Sequence, residues 1–108
     1  MIARLWRGRV ATSDADDYVR YLQRTGIPDY EATPGNRGVR LLRRTVGNET
    51  YFLLLTFWDS YDAIRAFAGD DIERARYYPR DEAYLIDPEE TVLHFDVVPD
   101  RAQGDGAR

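Results

Sequence analysis

Residues 52–69 read FLLLTFWDSYDAIRAFAG, an apolar run that reaches Trp58, crosses two polar residues and continues with a helical period. The run begins in a strand predicted over residues 49–57. Side chains alternate along a strand, so Tyr51, Leu53, Leu55 and Phe57 share one face, and Phe52, Leu54 and Trp58 share the other, with Thr56 between them. Both faces are apolar, and such a strand must be covered twice. Asp59 or Ser60 then caps a helix in which Tyr61, Ile64, Phe67 and Ala68 form the inner stripe before Gly69.

Working outward, residues 39–46 alternate as a strand, and Gly47-Asn48 is the hairpin turn that joins it to the apolar strand. Asp70 and Asp71 suit the start of a further helix running to Tyr77, because carboxylates there complement the helix dipole. Pro79 stops it, and PRDEAYL over 79–85 adds one helical turn. Residues 91–98 form the last strand, with Leu93, Phe95 and Val97 opposed to Val92, His94, Asp96 and Val98. At the other end, residues 2–10 are a strand with Ile2, Arg4, Trp6, Gly8 and Val10 on one face. Ser13 offers an N-cap, with Asp16 three residues on. Ala15, Tyr18, Val19 and Leu22 make the apolar stripe of the helix that follows, and Gly26 and Pro28 close it. A short helical turn carrying Tyr30 is expected within 27–34, and ATPGNRG over 32–38 is a loop.

The order is β-α-β-β-α-β, a ferredoxin-like α+β fold with a four-stranded antiparallel sheet and helices on one face. One domain over residues 1–98 is expected, followed by a tail over 99–108 whose lack of large apolar residues predicts disorder. Helices cover one face only, so the second apolar face predicts a homodimer through the sheet. The alternative is a monomer whose open face is covered by residues 26–35.

Composition narrows the chemistry. The net charge of −4 argues against a phosphate-binding surface, and no nucleic-acid partner is expected. No apolar run approaches the ~20 residues that span a bilayer, and no signal-peptide pattern follows the N-terminal arginines. A cytoplasmic location without membrane association is the expectation. All 15 basic residues are arginine, there is no cysteine and there is one histidine, His94. Lysine Schiff bases, thiolate catalysis, thiolate metal sites and multi-histidine metal sites are therefore absent from the repertoire, and no metal or cofactor is expected. What remains is His94, two Trp, eight Tyr, the arginines, carboxylates and amides.

The segments IARLWRGRV, DYEATPGNRGVRLLRR, YFLLLTFWDSYDAIRAFAG, YYP and TVLHFDVV together resemble the antibiotic biosynthesis monooxygenase family, within the dimeric α+β barrel superfamily. The resemblance spans residues 1 to about 98. It implies a homodimer with a pocket between sheet and helices in each chain, and a tryptophan at position 58 lining that pocket. Family members include small oxygenases that oxidise phenolic polyketides without metal or flavin, and relatives that degrade haem. The haem enzymes place their iron-binding histidine on a helix, whereas His94 falls in the last strand, so haem degradation ranks last. An asparagine used by several relatives on the first strand is replaced here by Trp6 and Arg7.

A cofactorless oxygenase needs an ionised aromatic substrate, a stabilised anion and exclusion of water. His94 and Trp58 are the catalytic candidates; Trp6, Tyr30, Arg40, Tyr61, Tyr77 and Tyr78 are the candidates for the wall of a pocket that takes a small aromatic ligand. Each has a plainer reading. Trp58 suits a core position, His94 a strand histidine with one hydrogen bond, and Arg40 with Arg44 a solvated strand face or a dimer-edge salt bridge. A non-oxidative cyclase or isomerase on the same scaffold, and a binding protein without turnover, stay open beside the oxygenase.

Overall fold

In a computed structural model of the chain, residues 1–99 are described. The hairpin is the centre of the architecture. Strand β3 (Glu49–Trp58) pairs antiparallel with β2 (Asn36–Val46) on one side and β1 (Ile2–Ala11) on the other, and the short β4 (Leu93–Asp96) closes the far edge. The order β2-β3-β1-β4 is the expected ferredoxin-like arrangement.

Register explains the core. Ile2, Arg4, Trp6, Gly8 and Val10 lie opposite Trp58, Thr56, Leu54, Phe52 and Thr50, so these ten side-chain positions occupy one face. Against that face pack α1 (Ala15–Arg24), α2 (Gly26–Ala32) and α3 (Tyr61–Ala68). Tyr18, Leu22, Tyr30, Ile64 and Phe67 are their buried contributions. Tyr21 joins them, a core residue outside the expected stripe. Ser60 caps α3 by accepting from the Ala63 amide at 3.1 Å, as its own extended backbone allows. The side chain of Trp6 lies across Gly8, where a Cβ would sit 2.3 Å from the indole.

Four expectations are corrected. Ser13 caps nothing, because residues Thr12–Asp14 already turn as a 3-10 helix and Asp14 is helical in conformation; a capping hydroxyl needs an extended backbone. Gly26 and Pro28 end α1 but do not end helicity: α2 starts at Gly26, with Pro28 in its first turn, where no amide donor is required. No helix runs from Asp70 to Tyr77. That connection instead lies beside residues 90–92, with Ala75 donating to the Glu90 carbonyl and Val92 to that of Glu73, both at 2.8 Å. The last strand is shorter than 91–98, since Thr91 bridges to Arg74 rather than to β1. The helical turn near 79–85 is present as α4 (Asp81–Tyr84).

The second face of the sheet is left bare by the described residues. Leu42, Tyr51, Leu53, Leu93 and Phe95 are exposed there, and residues 26–35 do not cover it, since Tyr30 packs on the helix side against Trp58 and Phe67. The tail expected to be disordered lies, after Pro99, outside the described residues. Among the described residues no helix is long and apolar enough to cross a membrane.

Candidate functional site

The helix face carries two polar centres within an aromatic core. The first grows from β1. Arg4 alternates onto the same face as Trp6 and is 2 % exposed. Its guanidinium donates to the Ile72 carbonyl, to the Arg74 carbonyl at 3.2 Å, and reaches Nε2 of His94, its cross-strand partner on β4, at 3.2 Å. A guanidinium only donates, so Nε2 is the acceptor and the imidazole is neutral with its proton on Nδ1. Burial, then the charge of Arg4, holds His94 below its ordinary pKa, with Glu73 opposing.

The second centre is Asp81, at the start of α4 and 4 % exposed. Its carboxylate accepts from the Tyr18 hydroxyl at 2.9 Å and from the Tyr78 amide at 2.6 Å. Desolvation raises its pKa, and these two donors act against the rise.

Aromatic rings fill the space between. The Trp6 indole donates to the Tyr77 hydroxyl at 3.2 Å and meets that ring edge-on. Tyr77 passes its own hydrogen to the Glu89 carbonyl. Tyr30 stacks on Phe67 at 4.1 Å between centroids, and Trp58 meets both. Arg76 lies over Phe67 and Tyr78, at 4.7 and 5.2 Å from the ring centres. Tyr78 donates to Asp29. A void of about 20 Å³ remains among Trp6, Tyr30, Tyr77, Tyr78 and Asp81, room for one water.

Four of the expected wall residues, Trp6, Tyr30, Tyr77 and Tyr78, thus converge on one void. Tyr61 and His94 share a different space, an open groove of about 270 Å³ that also includes Glu73, with their rings 6.0 Å apart. Arg40 pairs with Leu55 and lies on the opposite face of the sheet, where its exposed guanidinium bonds the Val39 carbonyl. Trp58 does not stand at a cavity mouth: it is fully buried, its indole N–H donating to Thr56 Oγ1 at 2.9 Å, and Tyr30 and Phe67 are its aromatic neighbours. Arg4 and Asp81 were missed. Arg4 had a signal, a charge on a strand face otherwise made of Ile2, Trp6 and Val10; Asp81 had none, because its burial depends on the connection before it.

No family model matches the sequence, and no curated protein matches it. Solved structures do. A crystal structure of an antibiotic biosynthesis monooxygenase matches with a TM-score of 0.64 over 92 % of this chain and 100 % of that one, at 18 % identity. The chain has the fold of the antibiotic biosynthesis monooxygenases. The haem-degrader MhuD of Mycobacterium tuberculosis, solved with two haems in its active site, shares this monooxygenase fold with a TM-score of 0.61 and 24 % identity over 93 % of this chain and 98 % of that one. The ferredoxin-like reading of the sequence is borne out at the level of fold. Within this fold, the helix face of the sheet holds both polar centres.

Proposed function

We propose that the chain is a cofactor-independent monooxygenase that oxidises a small aromatic molecule, phenolic or polyketide-derived, with dioxygen. The observation that carries this reading is the convergence of Trp6, Tyr30, Tyr77 and Tyr78 on one void, with Tyr30 also facing the guanidinium of Arg4, which in turn contacts His94. The fold shared with antibiotic biosynthesis monooxygenases supports it, although fold alone does not assign chemistry.

An aromatic held as its anion can transfer an electron to dioxygen directly, so the protein supplies position, charge stabilisation and dryness. The balance closes on the substrate itself: a ring-flanked methylene loses two hydrogens, one oxygen atom leaves with them as water, and the other becomes the new carbonyl. His94 is neutral and is the candidate acceptor for the substrate proton, once a bound hydroxyl takes the place of Arg4 at Nε2. Trp58 acts one layer back, as the support for Tyr30. Admitting a ring system requires the irregular 69–80 connection to move outward, since the void holds only a water. The bare sheet face, with Leu42, Leu53, Leu93 and Phe95 exposed, is the surface on which two copies associate as a homodimer.

The test is oxygen uptake by metal-free protein with a panel of hydroquinones and anthrones. Uptake that needs both protein and substrate is the expected result, whereas equal conversion under strict anaerobiosis would give the site to a cyclase or isomerase. The likeness to MhuD raises haem degradation as a second reading, but the donor set here does not fit it. The only histidine turns its acceptor nitrogen to a guanidinium at 3.2 Å, and titration with haemin is expected to leave the Soret band where it lies for free haemin.

A further inference from the structure

Among the described residues, Arg4 is a cation without a counter-ion. Arg7, Arg9, Arg37, Arg43 and Arg65 each hold a carboxylate at 2.6 to 2.9 Å and stand partly or largely in solvent. Arg4, 2 % exposed, has no ion-pair partner among the described residues; around its guanidinium are two carbonyls, a neutral imidazole and the Tyr30 hydroxyl, none of them a carboxylate. One of its donors, Nε, is buried with no partner at all. Burying an unpaired charge is costly, and an unused donor adds to that cost. Such an arrangement persists where a ligand completes it.

We propose that Arg4 is an anion-binding group, and that the molecule taken on the helix face delivers an oxyanion, a phenolate or enolate, to its guanidinium. This rests on the reading of the helix face as the substrate site. Arg4 lies in register with His94, which opens to the groove shared with Tyr61, and one step along β1 from Trp6, which lines the void. A flat molecule entering between them brings its oxygen to the unused side of the guanidinium while its rings lie among the tyrosines. The other titratable groups around Arg4 are His94 on β4, Tyr30 on α2, and Glu73 of the 69–80 connection, which acts on His94. No acid among them neutralises the guanidinium, so the ligand's own charge does.

The inference separates cleanly from turnover, because it concerns which protonation state is bound. The probe is para-nitrophenol, whose anion absorbs in the visible, with its uncharged ether para-nitroanisole as control; both are titrated into the full chain without regard to oxygen. Wild-type protein is expected to lower the ionisation midpoint of the bound phenol by about one pH unit or more, a tenfold preference for the anion. Arg4→Met is expected to abolish that displacement while binding para-nitroanisole within about threefold of wild type. Arg4→Lys, which keeps the charge but not the planar fork, is expected to retain part of it. An unmoved midpoint in wild type, no binding of either probe, or equal loss of both probes in Arg4→Met would overturn the proposal and leave Arg4 as a strap for the 69–80 connection. If Arg4→Met fails to fold, judged by circular dichroism, wild type against Arg4→Lys decides. Should oxygen uptake fail while the midpoint still moves, the oxygenase reading falls and the anion site stands.

Discussion

The two faces of the sheet are built from the same apolar strand and end in opposite states. Phe52, Leu54 and Trp58 are sealed under helices, whereas Tyr51 and Leu53, their alternating neighbours, stay exposed. The difference is not in hydrophobicity but in what the chain has to put on each side. Its helices carry tyrosines and one phenylalanine that fill the first face; nothing of the described chain reaches the second. The helix face is also where polar groups are hidden, in Arg4 and Asp81, while the arginines of the open face, among them Arg7, Arg9 and Arg40, have groups they can share with water. The folded core and its hidden polar groups are therefore on one face, and an exposed apolar surface, the proposed place of association, is left to the other.

Truncation is the strongest way to break this contrast. Phe52→Ala, at a fully buried position, is expected to cost about 3–5 kcal/mol in denaturant unfolding, from lost burial and the cavity left behind. Leu53→Ala, one residue along, is expected to cost far less in a single subunit; an equal cost would show that the open face is as closed as the other. Next in size, Leu53→Asp should leave the far-UV spectrum unchanged and shift the mass in solution, by light scattering, from two chains to one. Gly8→Ala places a methyl where the Trp6 indole lies and is expected to cost about 1–3 kcal/mol, with a change in tryptophan fluorescence as Trp6 is displaced.

The smallest effect is on pH. His94 is held below its ordinary pKa by burial and by Arg4, so the unfolded chain binds this proton more readily than the folded one. Its contribution to stability is complete above the ordinary histidine range and is lost as pH falls through that range toward the folded value. A His94→Gln chain should lose this part of the acid sensitivity, measured as the change of melting temperature between neutral and mildly acidic buffer. Wild-type and variant curves that run parallel would show that burial and the guanidinium together do not hold His94 below its ordinary range.

How much was legible follows from where the forces act. Alternation and turn residues gave the four strands and the hairpin, because those signals are local. The helix expected after Asp70 failed for a non-local reason: the backbone groups of 72–75 are occupied by Arg4 on β1 and by residues 90–92. The site followed the same rule. Trp6, Tyr30, Tyr77 and Tyr78 were candidates by residue type, as aromatic walls, and they met, although the helix expected to carry Tyr77 is absent. Arg40 stands among the wall candidates beside its plainer reading as part of a solvated strand face, and register puts it on the outward face that the plainer reading describes. Arg4 stood on an apolar face in plain sight, but a lone charge there looks like an edge residue until a connection from the far end of the chain is seen to bury it.

The central claim is that one oxygen atom of the product comes from dioxygen, with no cofactor supplied. Turnover of an anthrone by metal-free protein under heavy-isotope dioxygen, followed by mass spectrometry of the product, tests it directly. A product carrying one heavy oxygen, in excess of a protein-free control, is expected. A product of unchanged mass, or one whose new oxygen comes only from water, would contradict it.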